Sequence, residues 1–126
     1  TPVETLATAQ SVPAQSGPLP FFSLTAAEET TSLSYTMADK DVVYGLGEAI
    51  RGINKRGWRY ESYCNDDAGH SEDKHALYGA HNFLLVDGAA LFGLFVDFPG
   101  YVSFDIGSTA RKAMRISLAG RTLICI

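Results

Sequence analysis

Apolar and polar residues alternate in several short segments of the chain. In "SLSYTM" the apolar positions are Leu33, Tyr35 and Met37; in "VSFDIG" they are Val102, Phe104 and Ile106. A period of two places alternate side chains on one face of a strand, so both segments are predicted as half-buried strands. "DVVYGLG", β-branched and aromatic, is predicted as another. "HNFLLV" and "ALFGLFVDF" flank "DGA". Asp87-Gly88 tolerates positive φ, which marks a hairpin between them. "KAMRISL" and "RTLICI" flank a further turn at Ala119-Gly120. No long amphipathic helix is visible, although "LTAAEET" has the composition of a short one. Short strands at this spacing predict an all-β fold, an antiparallel β-sandwich.

Residues 1–20, "TPVETLATAQSVPAQSGPLP", are rich in Ala, Ser, Thr, Gln and Pro and are expected to form a flexible arm. The sandwich domain is expected over residues 21–126. It closes on the apolar strand "RTLICI", with no polar tail. Termini usually reach solvent, so the chain is expected to be a piece of a longer polypeptide.

Composition narrows the function classes. The 126 residues suit one domain, and 46% hydrophobic residues supply its core. No apolar run approaches the roughly 20 residues of a spanning helix, so no membrane partner is expected. A net charge of −4 argues against a nucleic-acid partner. Cys64 and Cys125 are too few and too far apart for a disulfide scaffold. Reduced thiols and a cytoplasmic location are expected.

The segment "YGLGEAIRGINKRGWRYESYCNDD" concentrates the candidate chemistry. Gly45 and Gly47 form G-x-G, but the third glycine of a dinucleotide fingerprint is absent at Ile50. A bulge or close backbone packing accounts for them better. Cys64, His70, His75 and His81 lack the tight pairs of a zinc site. No metal and no cofactor are expected. Arg51, Lys55, Arg56 and Arg59 precede Glu61, Asp66, Asp67, Glu72 and Asp73, and such segments usually pair locally or stay solvated. Asp66 and Asp67 have two readings. One is a pair of turn-forming carboxylates, which residue chemistry favours. The other is a loop carboxylate that accepts sugar hydroxyls beside Trp58, Tyr60 or Tyr63.

"VYGLGEAIRGINKRG", then "NDD", then "LYGAHNFLLV" and "LFGLFVDFPGYVSFDIG", in that order, resemble the N-terminal β-sandwich domain of family 31 glycoside hydrolases. This is the α-glucosidase and α-xylosidase family, whose N-terminal domain is galactose-mutarotase-like. The likeness runs from Tyr35 to Gly107 and is nearest to bacterial α-glucosidases acting on isomaltose- or maltose-type oligosaccharides. It implies a (β/α)8 catalytic barrel as the domain's partner and a small α-glucoside oligosaccharide as substrate. In that family an Asp nucleophile and an Asp acid/base lie in the barrel and act with retention, which needs carboxylates about 5 Å apart. Neither motif is present, so no catalytic residue is assigned and the chain alone is expected to be inactive. The resemblance assigns substrate binding to Asp66, with Asp67 beside it. It also suggests that Arg51, Lys55, Arg56, Trp58 and Tyr60 dock the domain on the barrel. An independent sugar-binding module and a purely structural or homo-oligomerising sandwich remain the alternatives.

Overall fold

The computed structural model describes residues 22–26, 29–120 and 123–125, and they contain strands but no helix. In chain order the strands are β1 (Phe22–Ala26), β2 (Thr30–Thr36), β3 (Val42–Gly47), β4 (Trp58–Ser62), β5 (Ala80–Asp87), β6 (Leu91–Asp97), β7 (Val102–Ile106), β8 (Ala113–Ala119) and β9 (Leu123–Cys125). They form a five-stranded sheet, β1-β2-β8-β7-β4, and a four-stranded sheet, β3-β5-β6-β9. Every pairing is antiparallel. The two sheets share one apolar core. Tyr35, Phe104 and Ile116 from the first sheet meet Val43, Leu84 and Leu94 from the second. Alternation is the cause: Leu33, Tyr35 and Met37 are all buried, as are Val102, Phe104 and Ile106. The fold is the antiparallel sandwich that the alternation predicts.

Two local features depart from the sequence expectations. "LTAAEET" contains no described helical residue: Leu24–Ala26 lie in β1 and Thr30 opens β2. Pairing outweighs the helical composition there. Phe22 sits opposite Tyr35, and their rings lie 4.9 Å apart, with Phe92 at 5.1 Å from both. Second, the basic connection contains a strand, β4, paired with β7 from Trp58↔Ile106 to Ser62↔Val102. The expected turn at Ala119-Gly120 is present, and it leads from one sheet to the other: Gly120 takes φ 83°, and β9 then pairs with β6. The arm expected over residues 1–20 lies outside the described residues.

A buried carboxylate ties the two sheets at one end. Asp41 is 2% exposed and accepts hydrogen bonds from Tyr35 Oη, Ala38 N and Ala89 N, each at 2.9 Å. It thus joins the β2–β3 turn to the β5–β6 hairpin. Gly88 lies close against it: a Cβ there would stand 2.1 Å from Asp41 Oδ1 and 2.7 Å from Asp41 Cα. Gly88→Ala is therefore expected to lower unfolding free energy by about 2 kcal/mol in a urea titration, because neither neighbour can yield freely.

Candidate functional site

The segment between β3 and β5 forms one continuous surface of two loops separated by β4. Its start is set by backbone conformation. Gly45, Leu46 and Gly47 all take positive φ, at 114°, 65° and 70°, and the β3–β5 register shifts between the two glycines. A Cβ at Gly45 would stand 2.5 Å from Phe83 O, so the strand can leave the sheet this tightly only as glycine. Leu46 keeps its positive φ because its side chain is buried in the core.

The basic residues that follow hold the loop from within. Lys55 is 5% exposed. Its ammonium donates to the carbonyls of Ala49, Ile50 and Gly52 at 3.2, 3.4 and 2.7 Å. Burial pushes its pKa down. The three carbonyls compensate the desolvated charge and wrap residues 49–52 around it. Arg56 donates to the carbonyls of Ala38, Asp39, Asp41 and Arg111 at 2.6, 3.2, 3.0 and 3.2 Å, fixing the neighbouring turns. Arg51, at φ 75°, stacks its guanidinium 4.4 Å from the Trp58 ring centre. It also donates to Glu72 O, and to Arg59 O at 3.0 Å. The described hydrogen bonds of Arg51, Lys55 and Arg56 are thus made to carbonyls of their own chain. Tyr60 likewise points into the core at 3% exposure, and burial pushes its phenol pKa up. What this frame presents outward is Ile53, 77% exposed, and Trp58, 44% exposed.

The second loop, residues 63–79, folds back on β4. Glu61 N donates to His75 O and Asn65 N to Leu77 O, both at 2.9 Å, while Leu77 buries its side chain. Gly79 N donates to Glu48 Oε2 at 2.9 Å, linking this loop to the first. An open groove of about 380 Å3, lined by Ile50, His70, Ser71 and Glu72, lies between the loops.

Within this loop the two adjacent aspartates diverge. Asp67 Oδ1 accepts from Gly69 N at 2.9 Å, Asp67 Oδ2 meets Lys74 Nζ at 2.5 Å, and Asp67 O accepts from Tyr78 Oη at 2.9 Å. The Lys74 bond, then the Gly69 bond, holds the Asp67 carboxyl below its ordinary pKa. Asp67 is the turn-former. Asp66 is exposed, and among the described residues its carboxylate meets no hydrogen-bond donor or cation. It is a free acceptor on a braced backbone, and the same loop carries the exposed rings of Tyr63 and Tyr78. Such a group can receive two vicinal hydroxyls of a sugar.

Sequence reasoning missed Glu48, Lys74 and Tyr78, which close this loop. No motif spacing marks them. Cys64, His70, His75 and His81 do not converge: among the described residues no cluster of three or more His, Cys, Asp or Glu is placed to hold a metal.

Residues 9–105 match the family model of the glycosyl hydrolase 31 N-terminal galactose mutarotase-like domain. Among solved structures, the fold is similar to part of a family 31 dextranase from Flavobacterium johnsoniae, solved with isomaltotriose. The identity is 18%, the TM-score 0.72, and the match covers 80% of this chain and 12% of that one. A cycloalternan-degrading enzyme from Trueperella pyogenes is similar at 17% identity and TM-score 0.69, over 77% of this chain and 15% of the other. An uncharacterized protein from Listeria monocytogenes is similar at 20% identity and TM-score 0.68, over 76% and 9%. The chain thus spans a small part of the length of each structure it matches. The curated proteins contain no match.

Proposed function

Because this chain belongs to the glycosyl hydrolase 31 N-terminal galactose mutarotase-like domains, we propose that it is the non-catalytic N-terminal domain of an α-glucosidase-type retaining glycosidase. In this reading it packs on a (β/α)8 catalytic barrel of the same polypeptide and lends a substrate-contacting loop to the active-site mouth. The chain alone hydrolyses nothing, since the two carboxylates of retaining chemistry lie in the barrel. The enzyme acts in the cytoplasm on small α-glucoside oligosaccharides. The dextranase solved with isomaltotriose and the Trueperella enzyme solved with isomaltose support that substrate class.

The observation that carries the proposal is the separation of Asp66 from Asp67. One carboxylate is used up in bracing the loop. The other is held out, exposed, on the braced backbone. Bracing matters because a loop already ordered loses little entropy when a ligand arrives. The docking role divides along the same lines. Arg51, Lys55, Arg56 and Tyr60 shape the first loop, and Ile53 and Trp58 are the apolar contacts it offers the barrel.

Trp58, Tyr63 and Tyr101 are exposed rings, a feature that would also suit an independent sugar-binding module. Calorimetric titration of the 126-residue chain with isomaltose and with maltose separates the two readings. A single carboxylate and its neighbouring rings form part of a subsite, so no binding tighter than about 1 mM is expected. Micromolar binding would establish the module and displace the proposed role.

A further inference from the structure

The two outer faces of the sandwich differ in kind. On the five-stranded sheet the outward positions of the central strands are Ser32, Ser34, Ser103, Asp105, Arg115 and Ser117, in the cross-strand pairs Ser32↔Ser117, Ser34↔Arg115, Ser103↔Ser117 and Asp105↔Arg115. That face suits water. On the four-stranded sheet the outward residues in the middle of β5 and β6 are apolar, while His81, Asp87 and Asp97 lie outward at the strand ends. Phe83 and Phe95 form a cross-strand pair and are 48% and 45% exposed, and Leu91 is 72% exposed. Tyr44 and Leu85 continue the same face as a half-buried pair.

The face is also flattened. Gly93 is the cross-strand partner of Leu85, and a Cβ there would stand 3.1 Å from Phe83 Cε2. The missing side chain lets the Phe83 ring lie down along the sheet. A flat, contiguous apolar surface of this kind is rare on a face meant for water. His81, Asp87 and Asp97, exposed at the ends of β5 and β6, give it a polar border.

Resting on the function proposed above, we infer that this sheet face is an interface and that its occupant is the catalytic domain of the same enzyme. That domain would contribute an apolar patch. The length of the related structures favours this occupant, because the dextranase keeps all but 12% of its chain outside the matched region. The interface is separate from the loop that carries Asp66, so the domain contacts the enzyme through two surfaces with different roles. One supports, and the other reaches the sugar.

The test is thiol accessibility in the full-length product of the coding sequence, on a Cys64→Ser, Cys125→Ser background, since Cys125 is the cross-strand partner of Phe95. Phe95→Cys and Ser34→Cys are made separately and reacted with a maleimide under native conditions. Position 95 is expected to react about 100-fold more slowly than position 34, since it becomes accessible only when the domains part. Phe83→Cys, should Phe95→Cys fail to fold, carries the same expectation. Equal rates at the two positions would overturn the inference. So would protection that appears only as protein concentration rises, which would mark contact between copies, or a coding sequence with no catalytic domain. Because the labelling requires no sugar, it stands even if Asp66 proves to be irrelevant to substrate.

Discussion

Asp66→Ala in the intact enzyme is expected to lower kcat/KM on isomaltose by about 10- to 100-fold, chiefly by raising KM. The size follows from what is removed. An exposed carboxylate that exchanges water for two sugar hydroxyls gains one or two charge-assisted hydrogen bonds, and no neighbour in the chain takes its place. In the proposed role the contact would lie on the sugar rather than at the reacting carbon, and so would be made equally in the ground state and the transition state. Loss of such uniform binding moves KM and leaves kcat nearly unchanged. Asp67→Ala is the informative companion. It releases Lys74 and Gly69 and loosens the loop, so its effect should be smaller and should be accompanied by faster amide exchange over residues 63–79. Steady-state kinetics on both variants separates contact from support.

The largest effect on stability is expected at Asp41. Asp41→Ala strands Tyr35 Oη in the interior and, by losing the bond from Ala89 N, unties the β2–β3 turn from the β5–β6 hairpin. A loss of about 3 kcal/mol in urea unfolding at pH 7 is expected. The same carboxyl confers an acid sensitivity. Burial alone would raise its pKa, but the bonds from Ala89, Ala38 and Tyr35, with the Arg56 charge nearby, outweigh burial and hold it below its ordinary value. Its partner Tyr35 is pushed up to about 12, first by burial and then by Asp41. A carboxyl depressed in the folded state contributes stability that is complete above its unfolded pKa of about 3.9. That contribution is lost as pH falls through the lower, folded value. Wild-type stability should therefore decline below about pH 4, and the Asp41→Ala variant should decline less steeply. At pH 7 the tyrosine stays neutral in either state.

How far the sequence discloses this structure depends on where the information sits. Strands β2 and β7 are legible because alternation acts residue by residue, β3 because its residues are β-branched and aromatic, and β5, β6 and β8 because Asp87-Gly88 and Ala119-Gly120 punctuate apolar runs. Strand β4 is not, because the basic run ahead of it suggests a solvated loop. The alternation of Trp58, Tyr60 and Ser62 is too short to outweigh that suggestion. Strand β1 is lost for a similar reason, since its end runs into "AAEET" and only pairing with β2 decides its conformation. The site shows the same division. The expectation that a carboxylate near position 66 matters comes from family resemblance. That Asp67 rather than Asp66 is tied to Lys74 comes only from the path of the loop. Lys55 is the sharpest case. Three backbone carbonyls satisfy it, and carbonyls are alike at every residue, so nothing in the sequence signals a buried ammonium.

The account depends on one carboxylate reaching a sugar that another part of the enzyme holds. The most direct measurement is a structure of the full-length polypeptide, rendered inactive, with an isomalto-oligosaccharide bound. The account predicts an Asp66 carboxylate oxygen about 2.6–3.0 Å from a hydroxyl of the bound sugar. A fully ordered oligosaccharide with water alone against Asp66, and no atom of residues 63–79 in contact, would contradict it.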